Sequence, residues 1–364
     1  MNIVIFSSLL ALILTLLDSR GSVKEGMKWG FFIITFLGCI HYNYGNDYIE
    51  YHRIYNSIVS TAFDWEYLIS GDIYKEPGWA ILCYVFKPIG GFFMMVAVLN
   101  IIQNAIVYKV IIKNVSRAWW PLSVFVYLFS TSFYLLNFSM MRQGLAICLF
   151  LGAWEAIRNR KFFVTLLMLL IASTIHTSAL ILIPVALTCF VNINKGRIAI
   201  VLFLLIYILI WFKGGFINDV LLLFLNVEDF SEYALAYGDE VSTNSYSIGF
   251  ILNLIPLLLS LIYIGNTSGR YQPWEKLAVA ISIVCFIIVP FTEVVPLIGR
   301  IGMYFGIYQI IAIPKIYSNI KKSIVRIILL FIYSAIMIYN YLSFFSSPTF
   351  HDAYSTFHTI FSAL

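Results

Sequence analysis

The chain has 364 residues, 61% of them hydrophobic and 11% charged. A soluble domain carries about 25% charged residues, and no Gly/Pro-rich or low-complexity tract accounts for the deficit, so soluble globular and disordered classes are both excluded. The net charge of +5 is spread over short loops, not massed in one patch, which argues against a nucleic-acid partner.

Charge-free apolar runs recur along the whole chain, and a helix needs roughly 20 mostly apolar residues to cross a bilayer while satisfying its own backbone. The alternation expected of lipid-facing barrel strands is absent. The first span, about residues 2–17, has no basic stretch before it and reads as a retained helix, not a cleaved leader. Further spans are expected at about 29–44, 91–111, 119–138, 142–157, 162–175, 177–191, 198–212, 248–265, 277–291, 298–314 and 327–345. The expected fold is therefore an all-α polytopic membrane protein with about 12 transmembrane helices, a single integral membrane domain over residues 1–364. Two longer loops, about 45–77 and 213–247, are too short to be domains and read as caps over a cavity between the helices. The five cysteines, Cys39, Cys83, Cys148, Cys189 and Cys285, lie in or beside apolar runs without CxxC spacing and read as small buried side chains.

Alternate loops differ in charge. The loops around 20–28, 109–117, 158–161, 195–197, 270–276 and 315–326 hold seventeen of the 23 Lys and Arg residues, and most acidic residues lie on the other side. The basic loops are expected in the cytoplasm, which places both termini and the two long loops outside. The uncharged stretch Phe162–Asn194 is long for one span and tight for two. Only two spans, turning near Thr174–Thr177, preserve the charge pattern.

Walker A, GxGxxG, HExxH, GxSxG, Asp-x-Asp and Cys/His metal signatures are all missing, so no cofactor or metal is expected. Gly302 and Gly306 form a small-xxx-small pair that reads as helix packing. The informative residues are polar ones at the outer ends of helices. Arg142 follows the charge-free run Ala118–Met141, Arg300 lies just after Glu293 and Pro296, and His176 sits at the expected turn. Ionisable groups near membrane depth usually face a cavity or a partner. Each arginine has an alternative in snorkelling to headgroups, and His176 in being a hydrogen-bonded loop histidine. Taken together, two guanidinium forks and an imidazole on one face suit a cationic pocket for a phosphorylated ligand. Most acidic loop residues read as solvated. Asp47 and Glu76 stand apart, at the two ends of the first long loop. Pro77 suits the first position of a helix, which would put Glu76 at its entrance, and a carboxylate there suits a general base beside such a pocket.

The order of motifs resembles the EpsG family, a branch of the Wzy-type polysaccharide polymerases, over nearly the whole chain. The matching elements are Tyr44-Gly45-Asn46-Asp47-Tyr48 with Tyr51 and Tyr55, Lys75-Glu76-Pro77-Gly78-Trp79, Met141-Arg142-Gln143-Gly144-Leu145-Ala146, His176-Thr177-Ser178-Ala179-Leu180, and Gly299-Arg300 leading to Met303-Tyr304-Phe305 and Pro314. One departure is His41, where the family often carries an arginine.

The resemblance implies a GT-C-like helical bundle in the bacterial inner membrane. Its implied activity is transfer of a growing glycan from one undecaprenyl-diphosphate carrier to the repeat unit on another, at the outer face. It implies that Arg142, Arg300 and His176 stabilise the leaving diphosphate and that Asp47 or Glu76 is the base, with inversion at the anomeric carbon and no metal. Tyr48, Glu293 and Tyr304 join Arg142, Arg300 and His176 as implied substrate-binding residues. The implied partners are donor and acceptor lipid-linked glycans, the bilayer and a chain-length regulator. The rival expectations are a flippase or transporter of lipid-linked sugars and another membrane glycan enzyme, an O-antigen ligase or sugar O-acyltransferase.

Overall fold

Long apolar runs become helices that turn many of their hydrophobic side chains outward. The computed structural model describes residues 2–71, 73–190, 248–265, 272–292 and 298–362. Among these, Asn2–Ser19 (α1), Gly91–Asn114 (α6) and Ser323–Ser346 (α15) are long and apolar enough to cross a membrane. Phe163, Phe190, Ile327 and Phe331 are exposed on helices that pack inward on another side. Water would not tolerate apolar faces of that extent; a bilayer solvates them. The protein is an all-α membrane protein.

The described residues form two compact units, Met1–Val191 with Tyr317–Leu364, and Asn192–Ile316. The first opens with a hairpin of α1 and Gly26–Ile40 (α2). Close approach demands Gly26, where a Cβ would lie 2.3 Å from the Leu14 carbonyl oxygen. The turn is clipped by Asp18, whose Oδ2 accepts from the Met27 N–H at 3.0 Å and whose Oδ1 accepts from Arg117 at 2.7 Å. The chain leaves α2 at His41, earlier than the expected end near residue 44, because His41–Tyr42 (β1) pairs antiparallel with His358–Thr359 (β2). That ribbon ties the C-terminal segment to the end of α2.

The stretch 45–77, expected as a loop, contains two helices, Tyr48–Ser60 (α3) and Trp65–Ser70 (α4). Spacing in α3 puts Tyr48, Tyr51, Tyr55 and Ile58 on one buried face. They pack with Trp79, Phe86, Phe92, Met95 and Met141 in one apolar cluster. Asp64 caps α4 by accepting from the Glu66 and Tyr67 N–H groups. A short helix, Pro77–Phe86 (α5), follows, with proline at its first turn and Glu76 as its N-cap residue.

Beyond α6, the expected span 119–138 is broken: Trp120–Phe129 (α7) ends at Ser130, and Leu135–Phe138 resumes as a 3-10 turn. The Ser130 hydroxyl accepts from the Ser132 N–H at 3.3 Å, a local bond that competes with helix continuation. The span expected at 142–157 is split into Met141–Gly152 (α8) and Trp154–Arg158 (α9) beside Gly152, a poor helix former. Phe162–Ile175 (α10) and the 3-10 segment Thr177–Phe190 form a hairpin that reverses at His176, with Phe162 and Phe190 rings meeting at 5.0 Å. Pro348–Ser355 (α16) follows α15 and leads to β2.

The second unit contains Ile248–Gly265 (α11), Pro273–Thr292 (α12), Ile298–Gly306 (α13) and most of Gln309–Ser318 (α14). The expected span 298–314 is interrupted after Gly306. Lys315 bridges to Glu275 at 2.6 Å within this unit. The spans and loop expected over 198–247, and Glu293, lie outside the described residues.

Candidate functional site

The start of α5, the start of α8 and the end of α10 meet in the first unit, and each delivers one ionisable side chain. Glu76 stands at the N-cap of α5, Arg142 is the second residue of α8, and His176 is the C-cap of α10 in extended backbone at φ −149°. Close contact between α5 and α10 demands a glycine at position 78, where a Cβ would fall 2.4 Å from the Thr174 hydroxyl. That contact brings residues 100 positions apart, Glu76 and His176, within hydrogen-bond range.

Glu76 is the hub. It is 5% exposed, a position that a carboxylate holds only when paired and hydrogen-bonded. Oε2 accepts from Arg142 Nη1. Oε1 accepts from His176 Nδ1 at 2.7 Å, from the Thr177 N–H at 3.0 Å and from the Thr177 hydroxyl at 3.4 Å. Burial pushes the Glu76 carboxyl up, but the His176 hydrogen bond, the Arg142 charge and the Thr177 N–H outweigh it and hold it below the usual glutamate value. The positive end of α5, where Glu76 is the N-cap residue, favours the same anionic form.

Arg142 is boxed by two tyrosines. Nε donates to the Tyr51 hydroxyl at 3.2 Å and Nη1 also donates to the Tyr74 hydroxyl. The guanidinium carbon lies 5.2 Å from the Tyr51 ring centroid and 5.3 Å from that of Tyr74. Nη2 makes no hydrogen bond among the described residues and is not a buried atom. It is the open edge of the fork. His176 Nε2 is likewise neither buried nor hydrogen-bonded there. The site therefore holds a fixed, shielded carboxylate and two outward-facing nitrogens, suited to an anionic group and to a proton.

The other sequence candidates are distributed differently. Asp47 is half-buried at the N-cap of α3, one turn before Tyr51, and its backbone N–H donates to the Ser139 hydroxyl at 3.2 Å. No hydrogen bond or ion pair joins its carboxylate to Arg142 or His176. Tyr48 is fully buried, its hydroxyl donating to the His41 carbonyl at 3.3 Å. His41 is also buried, its Nδ1 donating to the Gly38 carbonyl at 2.6 Å. Arg300, half-buried, and Tyr304, fully buried, lie one turn apart on α13 in the second unit. Tyr74 and Thr177 escaped the sequence reading as site residues, and Tyr51 entered it only as part of a motif.

The apolar, outward-facing helices and a shielded ionic cluster where helix ends meet define a multi-pass membrane protein with a polar site. The model of the EpsG family matches residues 29–357, and the chain belongs to that family of Wzy-type polymerase-like membrane proteins of polysaccharide biosynthesis. No curated protein and no solved structure matches the chain.

Proposed function

We propose that the chain is a glycosyltransferase that polymerises undecaprenyl-diphosphate-linked oligosaccharide repeat units at the outer face of the bacterial inner membrane. The observation that carries this reading is the Glu76–Arg142–His176 cluster, a fixed guanidinium with an open edge beside an imidazole with an open edge. The leaving lipid diphosphate gains negative charge as the glycosidic bond breaks, and a pre-oriented Arg142 Nη2 meets that charge without reorganisation. The fork is held by Glu76 and two tyrosines, so its geometry is set before substrate arrives. The acceptor hydroxyl attacks from the opposite side of the anomeric carbon, giving inversion, and its proton passes to a base of the outer face.

The orientation follows the basic loops. With these in the cytoplasm, twelve spans place both termini and the site outside. The α1–α2 hairpin and the β1–β2 ribbon support this reading, because they set the start of α1 and the C-terminal segment at the same end of α2. The apolar exterior gives the polyprenyl tails a lateral route from the bilayer.

The test is turnover by purified protein on synthetic undecaprenyl-diphosphate-linked repeat units, with EDTA and without nucleotide, resolved by length. A ladder of products is expected. Intact substrate across a panel of repeat units, together with movement of the lipid across liposome membranes, would replace this reading with a transporter.

A further inference from the structure

We infer that His176 is the proton acceptor of this reaction, and that Glu76 is its positioning residue and not a base. The inference rests on the polymerase reading above and assigns a role within the same site. Glu76 is poorly placed to take a proton. Both of its oxygens are occupied, it is 5% exposed, and its partners stabilise the anion, so protonation would have to break contacts with Arg142 or His176. No hydrogen bond or ion pair joins the Asp47 carboxylate to either of those groups.

His176 has what both carboxylates lack. Its Nδ1 donates to Glu76 Oε1 at 2.7 Å, because a carboxylate can only accept. That bond fixes the neutral tautomer with its proton on Nδ1 and its lone pair on Nε2. Nε2 is accessible and makes no hydrogen bond among the described residues, while the side chain as a whole is 17% exposed. The imidazole is thus held by one nitrogen and open at the other.

The charges make the transfer favourable. Glu76 is held as the anion and Arg142 is a cation, so the charges of this pair cancel before a proton is taken up. The titratable groups around the imidazole are Glu76 from α5 and Arg142 from α8, with the Tyr51 and Tyr74 hydroxyls beyond the guanidinium. As the acceptor hydroxyl oxygen bonds to the anomeric carbon, the carbon–oxygen bond to the phosphate breaks and its electron pair leaves on the diphosphate. The hydroxyl proton moves to Nε2 and later to water. The imidazolium so formed is stabilised by Glu76 and by the carbonyl end of α10. It appears beside the diphosphate as the latter gains charge. One residue thereby acts first as base and then as the cation that sequence alone suggested.

The test is kcat and KM against pH for wild type, His176→Gln, Glu76→Gln and Asp47→Asn, with folding checked by thermal melting in detergent. Wild-type kcat is expected to fall on the acid side as the imidazole protonates. His176→Gln should remove that limb and lower kcat about 10²–10⁴-fold with little change in KM. Glu76→Gln should move the limb to lower pH, because an uncharged amide no longer stabilises the imidazolium; this shift decides the matter if His176→Gln does not fold. Asp47→Asn should retain the limb. An unchanged limb in His176→Gln, an unmoved limb in Glu76→Gln, or its loss in Asp47→Asn overturns the assignment while leaving polymerisation intact. Absence of polymer from wild type on any repeat unit is the distinct failure of the underlying function.

Discussion

The first unit holds a buried carboxylate paired with an arginine at each of its two ends, and the two differ in what else is attached. At one end, Asp18 is 4% exposed and accepts from Arg117 and the Met27 backbone. At the other, Glu76 accepts from Arg142 and Thr177, and also from His176. Trp154, just past the end of α8, bonds Asn114 at 2.9 Å near Arg117, whereas Arg142 begins α8, so the two clusters are separated by the length of that helix. The Asp18 cluster closes a turn: its arginine side chain is 52% exposed, and among the described residues no second ion pair is made to Asp18. The Glu76 cluster holds its guanidinium between two tyrosines and adds an imidazole with a free nitrogen. A buried ion pair by itself is weak evidence of function. What distinguishes a site from a clip is the pre-oriented, unfilled edge.

The comparison can be broken most forcefully at the carboxylates. Glu76→Ala leaves Arg142 and His176 without their shared partner in a shielded position, and a loss of about 3–5 kcal/mol is expected in denaturation, with no polymer formed by the folded fraction. Asp18→Ala should lower stability too, while each folded molecule keeps its turnover. Acid sharpens the contrast. Glu76 has a folded pKa below its unfolded value, so its contribution to stability is complete above the unfolded glutamate value, about 4.3, and is lost as pH falls through the folded value. A Glu76→Gln protein should lack that part of the acid destabilisation in a melting series. Tyr74→Phe keeps the ring against Arg142 and removes one hydrogen bond to a charged group. A drop in kcat of about tenfold, corresponding to about 1.4 kcal/mol, is expected, with the fold preserved. The smallest effect belongs to Thr177→Ala, which deletes a 3.4 Å hydroxyl contact but keeps the backbone N–H on Glu76. Its melting point and turnover should remain near wild type.

Much of this site was legible in the chain because its key residues violate the apolar pattern. Arg142 interrupts a charge-free run, His176 sits at the reversal of another, and Glu76 precedes a proline that begins a helix. Charge bias predicts a turn near Thr174–Thr177, and the chain reverses there at His176. Other features were hidden for physical reasons. The chain has 24 tyrosines, and nothing local distinguishes Tyr51 and Tyr74, whose roles arise from residues 91 and 68 positions away in Arg142. The helices within 45–77 are amphipathic and short, so a search for apolar spans passes over them. The ribbon of β1 and β2 pairs two strands of two residues each, separated by most of the chain. The break of α7 falls at Ser130, where the hydroxyl accepts from the Ser132 N–H, a local bond that no apolar pattern reveals. Even the division of labour between Glu76 and His176 follows from which oxygen faces which nitrogen, a relation that no spacing in the sequence contains.

The central claim, that the Glu76–Arg142–His176 end is the reaction site and the Asp18–Arg117 end a structural clip, is tested most directly by comparing polymer formed per folded molecule in Arg142→Ala and Arg117→Ala. Turnover per folded molecule should fall by about 10²–10³-fold or more in Arg142→Ala and stay within about twofold of wild type in Arg117→Ala, which leaves the buried Asp18 carboxylate without its partner and lowers stability instead. Normal polymer from folded Arg142→Ala, or equal losses in the two variants, would contradict the account.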